Sequence, residues 1–341
     1  MELLELDYDL PAGAIAQAPA ECREAARLLV IDRTRGALED RSVADLPEIL
    51  HPGDCLVVND SRVIPARVLA QDALGRPVEL LFLEAETAGR WRALVRPGRR
   101  CRPGATLCVG TARLEIAAVL SDGARVVQRH DGTVEDLLGA HGLPPLPPYI
   151  ARHARPAPED WERYQTVYAR TPGSVAAPTA GLHFSDALLA RLRARGVEVH
   201  AVTLHVGPAT FRPPATSRVE AHTLPPERAT VSAATAASVT AARREGRRVV
   251  AVGTTVTRTL ESAAGPDGGV APLDGHATVT IRPGHRFRAV DALLTNFHLP
   301  RSSLLVLVSA FAGRELILGA YGHAVAAGYR FYSYGDATLI Q

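Results

Sequence analysis

The stretch Val249-Val250-Ala251-Val252-Gly253-Thr254-Thr255 runs into a helix-forming segment, Val256 to Ser262. A buried strand that ends in Gly-Thr-Thr at a helix start offers free backbone N–H groups, two hydroxyls and the positive end of the helix dipole. That is a seat for a carboxylate or a phosphate, although the same residues also suit a plain helix cap. Three other segments place a histidine beside Thr or Asn near expected strand ends. They are Pro178-Thr179-Ala180-Gly181-Leu182-His183-Phe184, Thr203-Leu204-His205-Val206-Gly207 and Thr295-Asn296-Phe297-His298-Leu299-Pro300. Imidazoles at such positions can move protons, because ligands of α/β sheets bind beyond the strand ends. A satisfied core histidine is the commoner explanation for any one of them, and three together favour a shared site.

Other chemistries are excluded by residue type. All 38 basic residues are arginine, so there is no lysine for a Schiff base or for a Walker phosphate loop. No G-x-G-x-x-G follows a strand, no G-x-S-x-G elbow occurs, and Ser174 is not on a strand-to-helix turn. Cys22, Cys55, Cys101 and Cys108 form no C-x-x-C pair, and the histidines show no metal-ligand spacing, so no metal is expected and the thiols read as free and buried. The acids Glu159-Asp160 precede an expected helix and read as first-turn charge complementing its dipole. Arginines crowd two stretches, Arg96, Arg99, Arg100 and Arg102, then Arg243, Arg244, Arg247 and Arg248; each is a candidate phosphate contact or simply a solvated face.

These residues need a scaffold of some size. With 341 residues, 47% apolar and 5% aromatic, the chain suits a large domain plus a smaller one, and a net charge of +2 neither demands nor forbids a nucleic-acid partner. No run approaches the roughly 20 apolar residues of a membrane span, and Met1-Glu2-Leu3-Leu4-Glu5 lacks the order of a signal peptide, so a cytoplasmic protein without a membrane partner is expected.

Leu28 to Ile31 and Cys55 to Val58 read as buried strands. Short β-rich runs follow from Val68 to Gln128, among them Val78 to Leu83, Trp91 to Val95 and Leu114 to Val119. Leu143-Pro144-Pro145-Leu146-Pro147-Pro148 should be an extended, semi-rigid return. Helix and strand then alternate. Ser185 caps a helix to Arg195 before a strand from Val197 to Leu204, a helix spans Ser232 to Glu245, and a strand runs from Arg248 to Val252. Ala263 to Gly275 reads as a loop. The expected fold is α/β, a large mixed α/β domain (1–67 and 149–341) with an inserted small all-β barrel-like domain (68–148).

Over nearly its whole length the chain resembles the S-adenosylmethionine:tRNA ribosyltransferase-isomerases of queuosine biosynthesis. The matching strings include Asp7 to Pro11, Val58 to Arg67, Leu146 to Ile150, Tyr164 to Ala169, Ser174 to Phe184 and Val202 to Gly207. Val252 to Thr255 with Arg258, Glu261 and Ser262, then Thr295 to Leu305, Val308 to Gly313 and Tyr329 to Ala337 complete them. The resemblance implies transfer and isomerisation of the ribosyl part of S-adenosylmethionine onto 7-aminomethyl-7-deazaguanine at the wobble position of tRNA with a GUN anticodon. The products would be epoxyqueuosine, adenine and methionine. S-adenosylmethionine would be a co-substrate, with no prosthetic group and no metal, and a monomer is expected.

On that resemblance Gly253, Thr254 and Thr255 would hold an anion such as the methionine carboxylate, with Thr179 and Gly181 also lining the cofactor site. His183, His205 and His298 would supply acid–base groups, Glu227 and Asp336 would hold a cationic amine or ribose hydroxyls, and Asn59, Asp60 and Arg62 would shape the site. The chain departs from the family's pattern at several positions. Pro225 stands where His222-Thr223-Leu224-Pro225-Pro226-Glu227 would carry a second histidine, and Ala209, Ala277-Thr278 and Thr338 replace the usual Gly, Thr-Asp and Met. Two other readings follow from these departures: a diverged paralogue that modifies a small 7-deazapurine or other amine, and a non-catalytic RNA-binding protein.

Overall fold

The computed structural model describes residues 1–207, 214 and 216–341. The chain divides into two compact units, one of Met1–Ser61, Gln165–Thr171 and Pro178–Gln341, the other of Arg62–Tyr164 and Pro172–Ala177.

The first unit is built on a nine-stranded mixed sheet. Its order is Leu273–Ala277, Glu227–Val231, Glu198–Leu204, Cys55–Asn59, Val249–Val252, Ala292–Asn296, Ala337–Ile340, Arg27–Asp32 and Ala37–Ser42. The four strands from Glu198–Leu204 to Ala292–Asn296 are mutually parallel, and antiparallel pairing begins on either side of them. The three inner strands Cys55–Asn59, Val249–Val252 and Ala292–Asn296 are buried throughout, which their largely apolar sequences reflect, whereas Glu198–Leu204 is more exposed and carries Glu198 and His200. Cys55, Val57, Val249, Ala251 and Leu293 point into one core, which is covered by the helices Ala233–Arg244, Thr254–Ala263, Ser303–Ala312 and Arg314–Ala326. Leu56, Val58, Val250, Val252 and Leu294 point into the other, against Leu188, Leu189 and Leu192 of the helix Asp186–Ala194. The period of two sorts neighbouring residues onto opposite faces, and each buried Val or Leu contributes roughly 1.5–3 kcal/mol by leaving water.

The helices begin where the capping residues stand. Ser185 Oγ accepts from Leu188 N at 3.0 Å, and Ser232 Oγ accepts from Thr235 N at 3.1 Å. The stretch expected to be a loop up to Gly275 instead contains the strand Leu273–Ala277, paired antiparallel with Glu227–Val231 at the sheet's edge. An edge strand has one ladder only, so Pro272 and Gly275 cost it little. Among the described residues no single helix is long and apolar enough to cross a membrane. The apolar pair Ser303–Ala312 and Arg314–Ala326 bends by 115° and buries Leu305 to Val308 and Ile317 in the core.

The second unit holds a closed barrel of six antiparallel strands in the order Arg125–Arg129, Arg90–Arg96, Pro77–Thr87, Arg67–Asp72, Thr106–Val109 and Ala112–Val119. Alternate residues fill it, among them Val68, Leu80, Phe82, Trp91, Leu107, Leu114, Ile116 and Val127. Val134, Leu137 and Leu138 of the helix Val134–His141 join the same core. This unit is larger than the 68–148 stretch marked out by sequence texture. The proline-rich segment packs on it: Leu143 pairs with Arg67, and Arg67 Nη2 donates to Leu146 O at 2.8 Å. Asp160 is a first-turn charge of the helix Asp160–Arg163, as expected, and its carboxylate is also buried, held by Arg152 Nε at 2.9 Å and by Ala157 N at 2.8 Å. All four cysteines are free, but only Cys55 and Cys101 are buried; Cys22 lies exposed between Glu21 and Arg23, and Cys108 alternates with the buried Leu107 and Val109 on the strand Thr106–Val109, so it faces outward.

Candidate active site

The register of the four parallel strands aligns their carboxyl ends, Val202 beside Asn59 and Val252 beside Leu294, so the residues that follow project from one edge of the first unit. His205, Asn59-Asp60, Gly253-Thr254-Thr255 and Asn296 all leave the sheet there. Such an edge is where open α/β sheets bind ligands.

Asn59 ties three of these ends together. Its Nδ2 donates to Leu204 O at 3.0 Å and to Thr255 Oγ1 at 3.4 Å, while Oδ1 accepts from Leu204 N at 3.0 Å and Ser61 N at 3.1 Å. Its amide is therefore spent on positioning. The next residue, Asp60, is buried and accepts from Thr203 Oγ1 at 2.6 Å and Arg170 Nη2 at 2.7 Å.

Gly253 sits at φ 92°, a conformation an L side chain resists, and this turn delivers Thr254 and Thr255 as the first residues of the helix Thr254–Ala263. Among the described residues no side chain caps that helix, so its first-turn N–H groups are left at the strand edge. Ala180 Cβ lies 3.4 Å from where a Gly253 Cβ would stand, which brings the short 3₁₀ helix Thr179–His183 against the same turn.

That 3₁₀ helix carries His183. The imidazole is buried, and Asn296 Nδ2 lies 3.1 Å from its Nε2. Asn296 is itself fixed: Thr179 Oγ1 donates to its Oδ1 at 2.9 Å, and its Nδ2 also donates to Tyr332 O at 3.2 Å. Burial draws the His183 pKa down to about 4, with the Asp336 charge opposing. Tyr332 lies at φ 74°, rare for a side chain of this size, and its N–H donates to Phe297 O at 3.1 Å.

The remaining expected residues fall into two groups. His205 is half-buried, with an Nδ1 that is buried and has no hydrogen-bond partner among the described residues, and burial lowers its pKa. Glu227, Asp336 and His298 are engaged within the fold. Glu227 pairs with Arg258 and accepts Gly207 N at 2.9 Å; burial raises its pKa and Arg258 opposes that. Asp336 accepts from Arg27 N at 3.1 Å, Arg330 N at 2.8 Å and Arg330 Nη2 at 3.2 Å. His298 Nε2 faces Thr295 Oγ1 at 3.1 Å, and burial lowers its pKa to about 3. Arg62 is exposed and belongs to the barrel-bearing unit.

Reasoning from sequence gave no role to Arg258, Tyr168, Arg170 or His222. Arg258 is a buried cation on the helix Thr254–Ala263, and a buried charge needs a partner, which here comes from a distant strand and not from the helix itself. His222 is buried and its Nε2 has no partner among the described residues. Of the departing positions, Pro225 and Ala277 offer their carbonyls to Arg258 Nη2 at 3.3 and 3.5 Å, and Thr338 Oγ1 donates to Thr295 O at 3.2 Å. Thr278 is exposed, and Ala209 lies outside the described residues. Among the described residues no group of three or more His, Cys, Asp or Glu side chains is placed to hold a metal ion.

Comparison with known proteins covers the whole of this arrangement. The family described as "Queuosine biosynthesis protein" matches residues 3–340. The S-adenosylmethionine:tRNA ribosyltransferase-isomerase of Anaeromyxobacter dehalogenans (strain 2CP-C) is 54% identical, covering 100% of this chain and 99% of that protein. The enzyme of the same name from Moorella thermoacetica is 52% identical over 100% of both chains. A crystal structure of S-adenosylmethionine tRNA ribosyltransferase from Thermotoga maritima is 35% identical, covers 99% of this chain and 100% of its own, and superposes with a TM-score of 0.57. Since the match spans residues 3–340 and so takes in every segment of the site, the chain belongs to the queuosine biosynthesis protein family.

Proposed function

We propose that this protein transfers and isomerises the ribosyl moiety of S-adenosylmethionine onto 7-aminomethyl-7-deazaguanine at the wobble position of a GUN-anticodon tRNA, giving epoxyqueuosine, adenine and methionine. The observation that carries the proposal is the convergence of His183, His205, Asn59, Gly253-Thr254-Thr255 and Asn296 on one strand-end edge, in a chain about half identical to full-length relatives of that name. S-adenosylmethionine serves as co-substrate without a prosthetic group or metal, and the protein works as a cytoplasmic monomer. The discontinuous domain 1–67 and 149–341 carries the chemistry, with 68–148 as an insertion.

A sulfonium is already activated, so catalysis rests on positioning and proton management. Among the bonds that break are the ribosyl carbon–sulfur bond, whose electron pair leaves on methionine, and the glycosidic bond, whose pair leaves on adenine together with a proton; in exchange the acceptor's amine nitrogen bonds a ribosyl carbon and gives up a proton. The uncapped start of the helix Thr254–Ala263 suits the methionine carboxylate. His205, whose Nδ1 has no partner among the described residues, suits proton movement. Asn59, Asp60, Glu227, Asp336 and His298 hold the strand ends that frame the substrate, because their polar atoms are occupied within the fold. A small free acceptor and a non-catalytic RNA binder are not favoured, since the similarity to the named enzymes spans the full chain at about half identity.

The test is adenine release from S-adenosylmethionine by the purified protein with three acceptors: tRNA carrying the aminomethyl-deazaguanine, the same tRNA carrying guanine, and the free modified base. Release with the first alone is expected. Release with the free base alone would move the assignment to a small-molecule acceptor.

A further inference from the structure

A histidine at the edge of such a site is ordinarily read as a proton carrier. The contacts around His183 leave it a different role.

Tyr332 O can only accept, so the Asn296 amide must turn its NH₂ toward it; Thr179 Oγ1 then donates to Oδ1 on the other side. The second N–H of that NH₂ points at His183 Nε2, 3.1 Å away. Rotating the amide by half a turn would set Oδ1 against the Tyr332 carbonyl, acceptor against acceptor. Tyr332 cannot swing aside, because its own N–H is committed to Phe297 O. The orientation of Asn296 is therefore imposed by the main chain.

We infer that His183 is held by Asn296 as the Nδ1–H tautomer and acts as a fixed hydrogen-bond donor to an acceptor atom of the substrate, not as a general base. Its Nε2 lone pair is consumed by the Asn296 N–H, and adding a proton there would set two N–H groups against each other. The low pKa of the buried ring agrees with this arrangement. Asn296 is accordingly a positioning residue. The acceptor it serves, through His183, is an oxygen or nitrogen atom of the substrate, a detail that rests on the proposed function.

Two measurements test the assignment. The first is the nitrogen spectrum of histidine-labelled protein, with His183 identified by its loss in His183→Asn. A single Nδ1–H form, unchanged from pH 8 to pH 5, is expected; an Nε2–H form, or titration within that range, overturns the inference whether or not the substrate has been identified correctly. The second compares adenine release by His183→Asn and His183→Phe, each checked for wild-type unfolding. The Asn amide N–H stands near the place of Nδ1–H, so kcat should fall less than 10-fold in the Asn variant and more than 100-fold in the Phe variant. Equal loss in both overturns the donor role and restores a base. No loss in either removes His183 from the reaction. A wild-type protein that released no adenine would fault the proposed function, leaving the spectrum as the test of the tautomer.

Discussion

A Cβ on Gly181 would stand 2.2 Å from the Tyr168 phenolic oxygen and 2.8 Å from Thr166 Cγ2. The space a methyl group would need is filled by a buried hydroxyl that has no hydrogen-bond partner among the described residues. Gly181→Ala must therefore displace either Tyr168 or the 3₁₀ helix Thr179–His183 that carries His183. We expect a stability loss of about 1–3 kcal/mol from overpacking and a drop in kcat of more than 10-fold. Tyr168→Phe in the same background should recover much of both, measured by urea unfolding and adenine release.

Arg258 donates from every guanidinium nitrogen: to Glu227, to Pro225 O at 3.3 Å and Ala277 O at 3.5 Å from Nη2, and from Nε to Val279 O at 3.1 Å. Removing one partner of a buried pair strands the other charge. Arg258→Ala should cost about 3–5 kcal/mol in chemical denaturation, and joint replacement of Arg258 and Glu227 by apolar residues should cost less than the single change. A single variant of unchanged stability would contradict this account.

The two arginine clusters differ. Arg243 pairs with Asp291, Arg247 with Glu198 at 3.2 Å and Glu245 at 2.7 Å, and Arg248 Nε with Asp54 at 3.0 Å. Arg96, Arg99 and Arg102 are exposed on the barrel without an ion pair among the described residues, while Arg125 holds their turn through Gly98 O at 3.1 Å and Cys101 O at 2.9 Å. Replacing Arg96, Arg99 and Arg102 by Ala should weaken tRNA binding at low salt and lower the slope of log affinity against log salt by about 2–3. Arg248→Ala should change stability instead.

Stability should fall on mild acidification. His183 and His298 take up protons only near pH 4 and 3 in the folded chain, whereas an unfolded histidine does so near its ordinary value of 6.5. Between those values the unfolded chain binds more protons, so stability is complete above about pH 6.5 and declines as pH falls toward 4. The urea midpoint at pH 5 should lie below that at pH 7.5, with a smaller difference in His183→Asn.

Reinstating the histidine of the usual family pattern, Pro225→His, should change adenine release less than about threefold. Arg258 bonds the carbonyl of residue 225, which both residues supply. A gain of 10-fold or more would show that the departure had removed a working group.

What the sequence revealed and what it concealed divide along physical lines. Ser185 and Ser232 cap helices through contacts three residues away, and Gly253 marks a turn that only positive φ can make. Such features are local and legible. The partner of His183 lies 113 residues downstream and the partner of Glu227 31 residues downstream, so nothing in their neighbourhoods announces them. The Leu273–Ala277 strand was masked by Pro272 and Gly275, residues an edge tolerates. The arginines at 243–248 are alike by type, and the fold supplies distant acids to Arg243, Arg247 and Arg248 while Arg244 stays exposed.

The contacts of Arg258 with the carbonyls of residues 225 and 277 are blind to the side chains there. Drift at these two positions leaves no mark on the contact, so they make poor markers for telling an active member of the family from a silent one. Glu227 and Arg258 have no such latitude: a lineage that loses one must lose both, and an inactive descendant should be recognised by that paired change.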